Sequence, residues 1–113
     1  MILKRGAVVL VGLEPTLGKE QQGIRPCVVI SDSSVAANQK YPMVCIVPIT
    51  STAGQGALYP KLASGSGGLR TLSYALVDQL RSVDKQRISK IYGVISAPEL
   101  RGIEEGIRLY LSL

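Results

Sequence analysis

The stretch EPTLGKEQQGIRPCVVIS, residues 14–31, sets a polar loop bearing Gly and Pro against an uninterrupted apolar run. The CVVI run is short, β-rich and bounded by turn residues, so Arg25 to Ser31 reads as a strand buried on both faces. The loop before it, Glu14 to Ile24, is long for a compact domain, and loops of that length often carry function. It delivers Arg25 to the lip of the strand.

Outward from this segment, Ala7 to Leu13 and Pro42 to Thr50 repeat the pattern of a short aliphatic strand. Turn residues fill Ser31 to Gln39, with room for one helical turn capped by Asp32 or Ser33. Gly and Ser dominate Ser51 to Gly68, leaving one short strand around Ala57 to Leu62 and a turn at Ser64 to Gly68. Leu69 to Asp78 and Arg81 to Ile88 read as further strands, and Ile91 to Ile95 as a last short one. The tail then changes period. Ser96 and Glu99 stand at capping-box spacing, Pro98 lies in the first turn, and Leu100, Ile103, Ile107 and Tyr110 recur at helical intervals. Many short strands, one late helix and no βαβ alternation predict a mainly β chain: a small, strongly curved sheet or partly open barrel with a C-terminal helix.

The 113 residues are 46% hydrophobic and 19% charged, which suits one folded domain over residues 1–113. The apolar runs fall far short of a membrane span, and Lys4, Arg5 and Gly6 interrupt any signal-like amino terminus, so a cytoplasmic protein is expected. The formal net charge of +5 favours a polyanion or an acidic protein as partner. The basic residues are scattered, however, and a solvated surface accounts for most of them equally well. With no Phe and no Trp, the core must be aliphatic, and few rings remain for stacking on bases.

Histidine is absent, which removes the commonest general acid and base. The only cysteines, Cys27 and Cys45, sit inside β-branched runs and read as small buried hydrophobes, not as a disulfide. No P-loop, dinucleotide fingerprint, nucleophile elbow or metal-ligand cluster is present, so no cofactor and no metal are expected. What remains is a set of candidates at strand ends and in loops. Arg25 is a permanently charged fork suited to a phosphate, though an arginine before Pro26 equally suits a surface ion pair. Thr50 and Ser51 end a strand with hydroxyls that can bond a phosphate oxygen or simply form a turn. Glu20 and Asp78 are carboxylates placed to orient Arg25 or to accept a proton, the orienting role being the commoner one. Lys19 in the loop can touch a nucleic-acid backbone or face water.

Three blocks in register, RGAVVLVGLEPTLGKEQQGIRPCVVIS, VPITS and YALVDQLRSVDKQRI, resemble the MazF/PemK family of toxin endoribonucleases across nearly the whole chain. The resemblance implies an SH3-like barrel of the CcdB/PemK plasmid-maintenance-toxin kind and a homodimer. It implies sequence-specific, metal-independent cleavage of single-stranded RNA, leaving 2′,3′-cyclic phosphate and 5′-hydroxyl ends. It also implies neutralisation by an acidic cognate antitoxin. By this resemblance Arg25 and Thr50 are the catalytic pair. Glu20 is catalytic or site-orienting, as is Asp78, while Lys19, Gln21, Ser51 and Gln79 contact RNA. Ala7, Lys19 and Leu76 depart from residues common in the family, which are acidic, histidine and arginine respectively. Two other readings stay open: a gyrase-poisoning toxin of the same fold, and a non-enzymatic SH3-like nucleic-acid-binding module.

Overall fold

The strands form where aliphatic runs can bury both faces. In the computed structural model, which describes residues 2–113, β1 (Ala7–Gly12), β2 (Ile24–Val29) and β3 (Met43–Thr50) are the central strands of one curved sheet. β4 (Lys61–Leu62), β5 (Ser73–Ala75), β6 (Arg81–Asp84) and β7 (Ile88–Val94) complete it, in the order β4-β5-β3-β2-β1-β7 with β6 also on β3. Alternate residues feed two cores. Val9 and Val11 join Cys27, Val29 and Ile46 on one face, while Val8 joins Val28, Val47, Ile49 and Val77 on the other. Double-sided burial explains why these strands lack the polar alternation of a half-exposed sheet.

Curvature has two visible sources. The β1–β7 ladder slips register between Ala7 and Val9 and again between Leu10 and Val11, and such irregularities bend a strand and increase its twist. β3 changes partners along one edge: Met43 to Ile46 pair with β6, whereas Ile49 and Thr50 pair with β5. The chain between β5 and β6 makes a 3₁₀ turn, Val77–Gln79, in the gap so created. The result is a β half-barrel.

The closing helix α2 (Ala97–Leu111) begins as its capping box predicts. Ser96 Oγ accepts from the Glu99 N–H at 3.3 Å, and the Glu99 carboxylate accepts from the Ser96 N–H at 3.2 Å. Ile103 is fully buried in the second core, with Leu100 and Ile107 packed around it. That burial stabilises by about 2–3 kcal/mol for Ile103 alone. Among the described residues the one ion pair, Arg5–Glu104 at 2.7 Å, ties the chain's start to this helix. No helix is long and apolar enough to cross a membrane. The short helix α1 (Ser33–Ala36) is capped by Asp32, which accepts from the Ser34 N–H at 3.0 Å.

Four expectations change. The strand expected over Leu69 to Asp78 is only Ser73–Ala75: the Leu76 N–H still donates to the Pro48 carbonyl at 2.8 Å, but Pro48 has no N–H to return, and the chain turns into Val77–Gln79 where β6 takes over the β3 edge. Arg81 to Ile88 divides at a 3₁₀ turn, Lys85–Arg87, and the last strand is correspondingly longer, starting at Ile88. Ala57 to Leu62 shrinks to two residues. Both cysteines are free, but only Cys27 is buried; Cys45 is half-buried.

The turn at Ser66–Gly68 needs its glycines. Gly67 has φ +56°, and a Cβ there would lie 2.4 Å from Val8 Cγ2. A Cβ on Gly93 would meet the Gly67 carbonyl carbon at 3.1 Å, so two bare backbones touch and press the β4–β5 loop onto β7.

Candidate functional site

Arg25 and Thr50 come from neighbouring antiparallel strands. The register that sets Cys27 opposite Pro48 brings Arg25 level with Thr50 two residues further along. Both line one polar cavity of about 470 Å³, together with Gln21 and Ser51. The opposite wall is the β4–β5 loop, which contributes Arg70 and Thr71. Two guanidinium groups and several hydroxyls around a cavity make an anion site, since each fork offers paired donors to phosphate oxygens.

Arg25 is exposed and has no carboxylate partner. Its Nε donates to the Gln22 carbonyl at 2.8 Å, which fixes the root of the fork. Thr50 Oγ1 accepts from the Thr52 N–H at 3.1 Å, holding the hydroxyl at the turn that leaves β3. The surface-ion-pair alternative for Arg25 therefore finds no support in the geometry.

The carboxylates lie elsewhere than expected. Glu20 accepts from the Leu17 N–H at 2.6 Å within its own loop. Asp78 accepts from the Tyr59 hydroxyl at 2.6 Å, and its other carboxylate oxygen is buried without a hydrogen-bond partner. The hydrogen bond to Asp78, reinforced by burial and by the Asp78 charge, raises the Tyr59 phenol above its ordinary value. Neither acid reaches the Arg25 cavity; both line an adjoining one of about 380 Å³ beside Gln79 and Arg81. No hydrogen bond joins Glu20 or Asp78 to Arg25 in this structure: Arg25 is held by backbone, and the acids are engaged in loop structure.

Gln79 is the hub of that structure. Its side-chain oxygen accepts from the Gln21 N–H at 2.8 Å, and its amide nitrogen donates to the Lys19 carbonyl at 3.3 Å. One residue earlier in the same 3₁₀ turn, Asp78 holds Tyr59, against which Gly54 packs so closely that a Cβ would lie 2.8 Å from Tyr59 Cβ. A single turn thus fastens both the 14–23 loop and the 51–60 loop. The base of the first loop is tied further by Arg81, which donates to the Leu13 carbonyl at 3.1 Å, and by Arg87 to Gly12 at 3.2 Å. Several basic residues that the sequence assigns to a solvated surface are in this way scaffold.

The β4–β5 wall is held from α2. Glu99 accepts from the Ala63 N–H at 2.7 Å and from Ser66 Oγ, clipping the β4–β5 loop that carries Arg70. Burial pushes its carboxyl up, but hydrogen bonds from Ser66, Ala63 and Ser96 outweigh that and hold it below the usual range. Arg70 itself was indistinguishable in sequence from the other scattered basic residues.

Cys27 is no nucleophile. Burial pushes its thiol up to about 12, against a smaller opposing pull from Arg81. Among the described residues, no group of three or more Cys, Asp or Glu side chains is placed to hold a metal ion.

The family described as PemK-like, MazF-like toxin of type II toxin-antitoxin system matches residues 4–111. The chain is 30% identical to the endoribonuclease MazF9 of Mycobacterium tuberculosis, over 99% of this chain and 98% of that protein. Its fold is similar to that of MazF from Deinococcus radiodurans, with a TM-score of 0.85 at 24% identity, covering 100% of this chain and 99% of the other. It is also similar in fold to a mycobacterial endoribonuclease in complex with its cognate antitoxin, with a TM-score of 0.80 at 17% identity over 98% and 96% of the two chains. With the match running through β1, the Arg25–Thr50 cavity and α2, the chain belongs to the PemK-like, MazF-like toxins of type II toxin-antitoxin systems.

Proposed function

We propose that this protein is a sequence-specific endoribonuclease toxin that cuts single-stranded RNA without a metal ion. The observation that carries this reading is the unpaired Arg25 fork beside the Thr50 hydroxyl in one open, polar cavity. The ribose 2′-oxygen attacks the adjacent phosphorus and gives its proton to water in the open cavity. The bond to the 5′-oxygen breaks, leaving a 2′,3′-cyclic phosphate and a 5′-hydroxyl. Arg25 stabilises the charge that builds on the phosphorane oxygens, a task for preorganised donors and a group that stays protonated. Thr50 hydrogen-bonds a phosphate oxygen and relays a proton to the departing 5′-oxygen. Ser51 and Gln21 lie on the same cavity and contact the strand, while Gln79 and Lys19 set the loop beside it.

An acidic cognate antitoxin fits the net charge of +5, and the mycobacterial neighbour is in complex with its cognate antitoxin. A homodimer is supported by apolar side chains left exposed on α2, namely Leu109, Tyr110 and Leu111.

Incubating the purified protein with a long transcript in EDTA tests the reading. Discrete cuts whose 3′ ends carry cyclic phosphate, lost in Arg25→Ala, are the expected result. Intact RNA that is merely retained would favour a binding module, and cutting by Arg25→Ala at the wild-type rate would remove Arg25 from the chemistry.

A further inference from the structure

We infer that the protein has a nucleobase subsite beside the Arg25 cavity, built on Tyr92 and Lys90 of β7. The inference rests on the RNA-cleaving function proposed above and extends it to a binding site for one unstacked base.

A second cavity of about 260 Å³ adjoins the first and shares Pro26, Leu69 and Arg70 with it. Its remaining walls include Leu10 and Tyr92, so the chemistry changes across the shared wall from hydroxyls and guanidinium groups to apolar surface. Whole drug-sized ligands occupy roughly 300–1,000 Å³, so this smaller space suits a single ring system. Lys90 Nζ stands 4.9 Å from the centroid of the Tyr92 ring, which adds a cationic rim to an aromatic wall.

The subsite is shaped by the fold. Lys90 pairs with Leu10 across the β1–β7 ladder, and Gly67 lets the β4–β5 loop descend onto Gly93. Gly68 follows at φ +87°, where a Cβ would lie 3.2 Å from Tyr92 Cβ; only glycine leaves the ring this close to the loop. Tyr92 is nevertheless 43% exposed, an aromatic side chain open to solvent in a chain without Phe or Trp.

An RNA strand whose phosphate lies between Arg25 and Arg70 has its neighbouring nucleotide at the mouth of this second cavity. The base then packs on Leu10, Pro26 and Leu69 with the Tyr92 ring at its flank. Lys90 meets the next phosphate or a base acceptor. Stacking on an aromatic side chain suits an unstacked base, and proteins that bind single strands use it repeatedly. Continuity with the anion cavity and the positive charge of Arg70 and Lys90 favour RNA as occupant over an apolar protein segment.

The test is a double-mutant cycle between protein and RNA. A cleavable RNA is mapped first; then a short oligomer of that sequence, with 2′-deoxyribose at the attacking nucleotide, is made with an abasic residue at each flanking position in turn. For the wild type, one abasic position should weaken binding roughly 5- to 150-fold, the range of a lost base–aromatic stack. Tyr92→Ala should bind the intact oligomer with the same loss, show no further penalty at that position, and raise KM with kcat little changed. Tyr92→Phe should restore binding. Wild-type affinity in Tyr92→Ala, or a penalty that simply adds at every position, overturns the subsite. A wild type that sediments as a dimer and a Tyr92→Ala that sediments as a monomer would also overturn it, by making this face a contact between copies. A wild type that neither binds nor cuts RNA removes the proposed function itself, a failure distinct from cutting without any coupling to Tyr92.

Discussion

The backbone N–H of Gln21 donates to the side-chain oxygen of Gln79 at 2.8 Å, across 58 positions of sequence. Gln79 therefore sets where the 14–23 loop stands over the cavity, and Gln79→Ala should let that loop drift. A neutral, partly buried hydrogen bond is worth about 0.5–1.5 kcal/mol, so the melting temperature should fall only slightly. KM for RNA should rise several-fold while kcat changes less, and the Gln21 amide should exchange faster with solvent. Unchanged exchange at Gln21 in Gln79→Ala would refute the clamp.

Gly67→Ala should be far more damaging than Gly65→Ala. Both glycines have positive φ, but a Cβ at Gly65 meets open space, whereas one at Gly67 lies 2.4 Å from Val8 Cγ2. Left-handed backbone costs an alanine about 1–2 kcal/mol. Overpacking against Val8 adds about 1–3 kcal/mol at Gly67 only. Chemical denaturation of the two variants measures the difference directly, and equal midpoints would show that the loop can lift off β7 freely.

Acid should loosen the Arg70 wall through Glu99. Its carboxyl is held below the ordinary value, so the stability it contributes is present above the ordinary carboxylate range and is lost as pH falls through the lowered folded value. Urea midpoints between pH 3 and pH 7 should therefore drop more steeply at the acid end for wild type than for Glu99→Gln. Parallel curves would remove Glu99 from the acid response.

Alkali acts through Cys27 with the opposite sense. Its thiol is raised from 9.0 to about 12 in the folded protein, so the stability it contributes is complete below pH 9 and is lost as pH rises towards 12. Cys27→Ala should flatten that part of the stability curve, although it costs some packing at neutral pH. At pH 8 the buried thiol should resist alkylation in the native state and react after denaturation. Rapid modification of native Cys27 would contradict its burial.

How much of this was readable from the residues depends on the range over which each is determined. The central strands were legible because unbroken aliphatic runs have few other uses, and α2 because Ser96, Pro98 and Glu99 mark its start within four residues. The length of Ser73–Ala75 is not legible because it is set by where β6 takes over the edge of β3, a pairing between segments far apart in the chain. At the site, Arg25 and Thr50 announced themselves by residue type at strand ends, and the antiparallel register joined them. Arg70 did not, since only the Gly67–Gly93 contact and Glu99 give it a place. Asp78 and Gln79 could be singled out, as could Lys19 and Gln21, but the pairing of Gln79 with the backbone of Lys19 and Gln21 and of Asp78 with Tyr59 could not, because loop-to-turn hydrogen bonds leave no periodicity.

The clip between Glu99 and the Ala63–Ser66 loop reaches across 36 and 33 positions of the chain. Arg25 and Thr50 are brought level by the β2–β3 ladder, whereas the loop facing them is fastened in part by a residue of α2. Closing contacts of such long range costs chain entropy, so the cavity takes its full shape only when α2 has docked Ile103 into the second core. Local pairing thus aligns the two side chains, and tertiary docking encloses them.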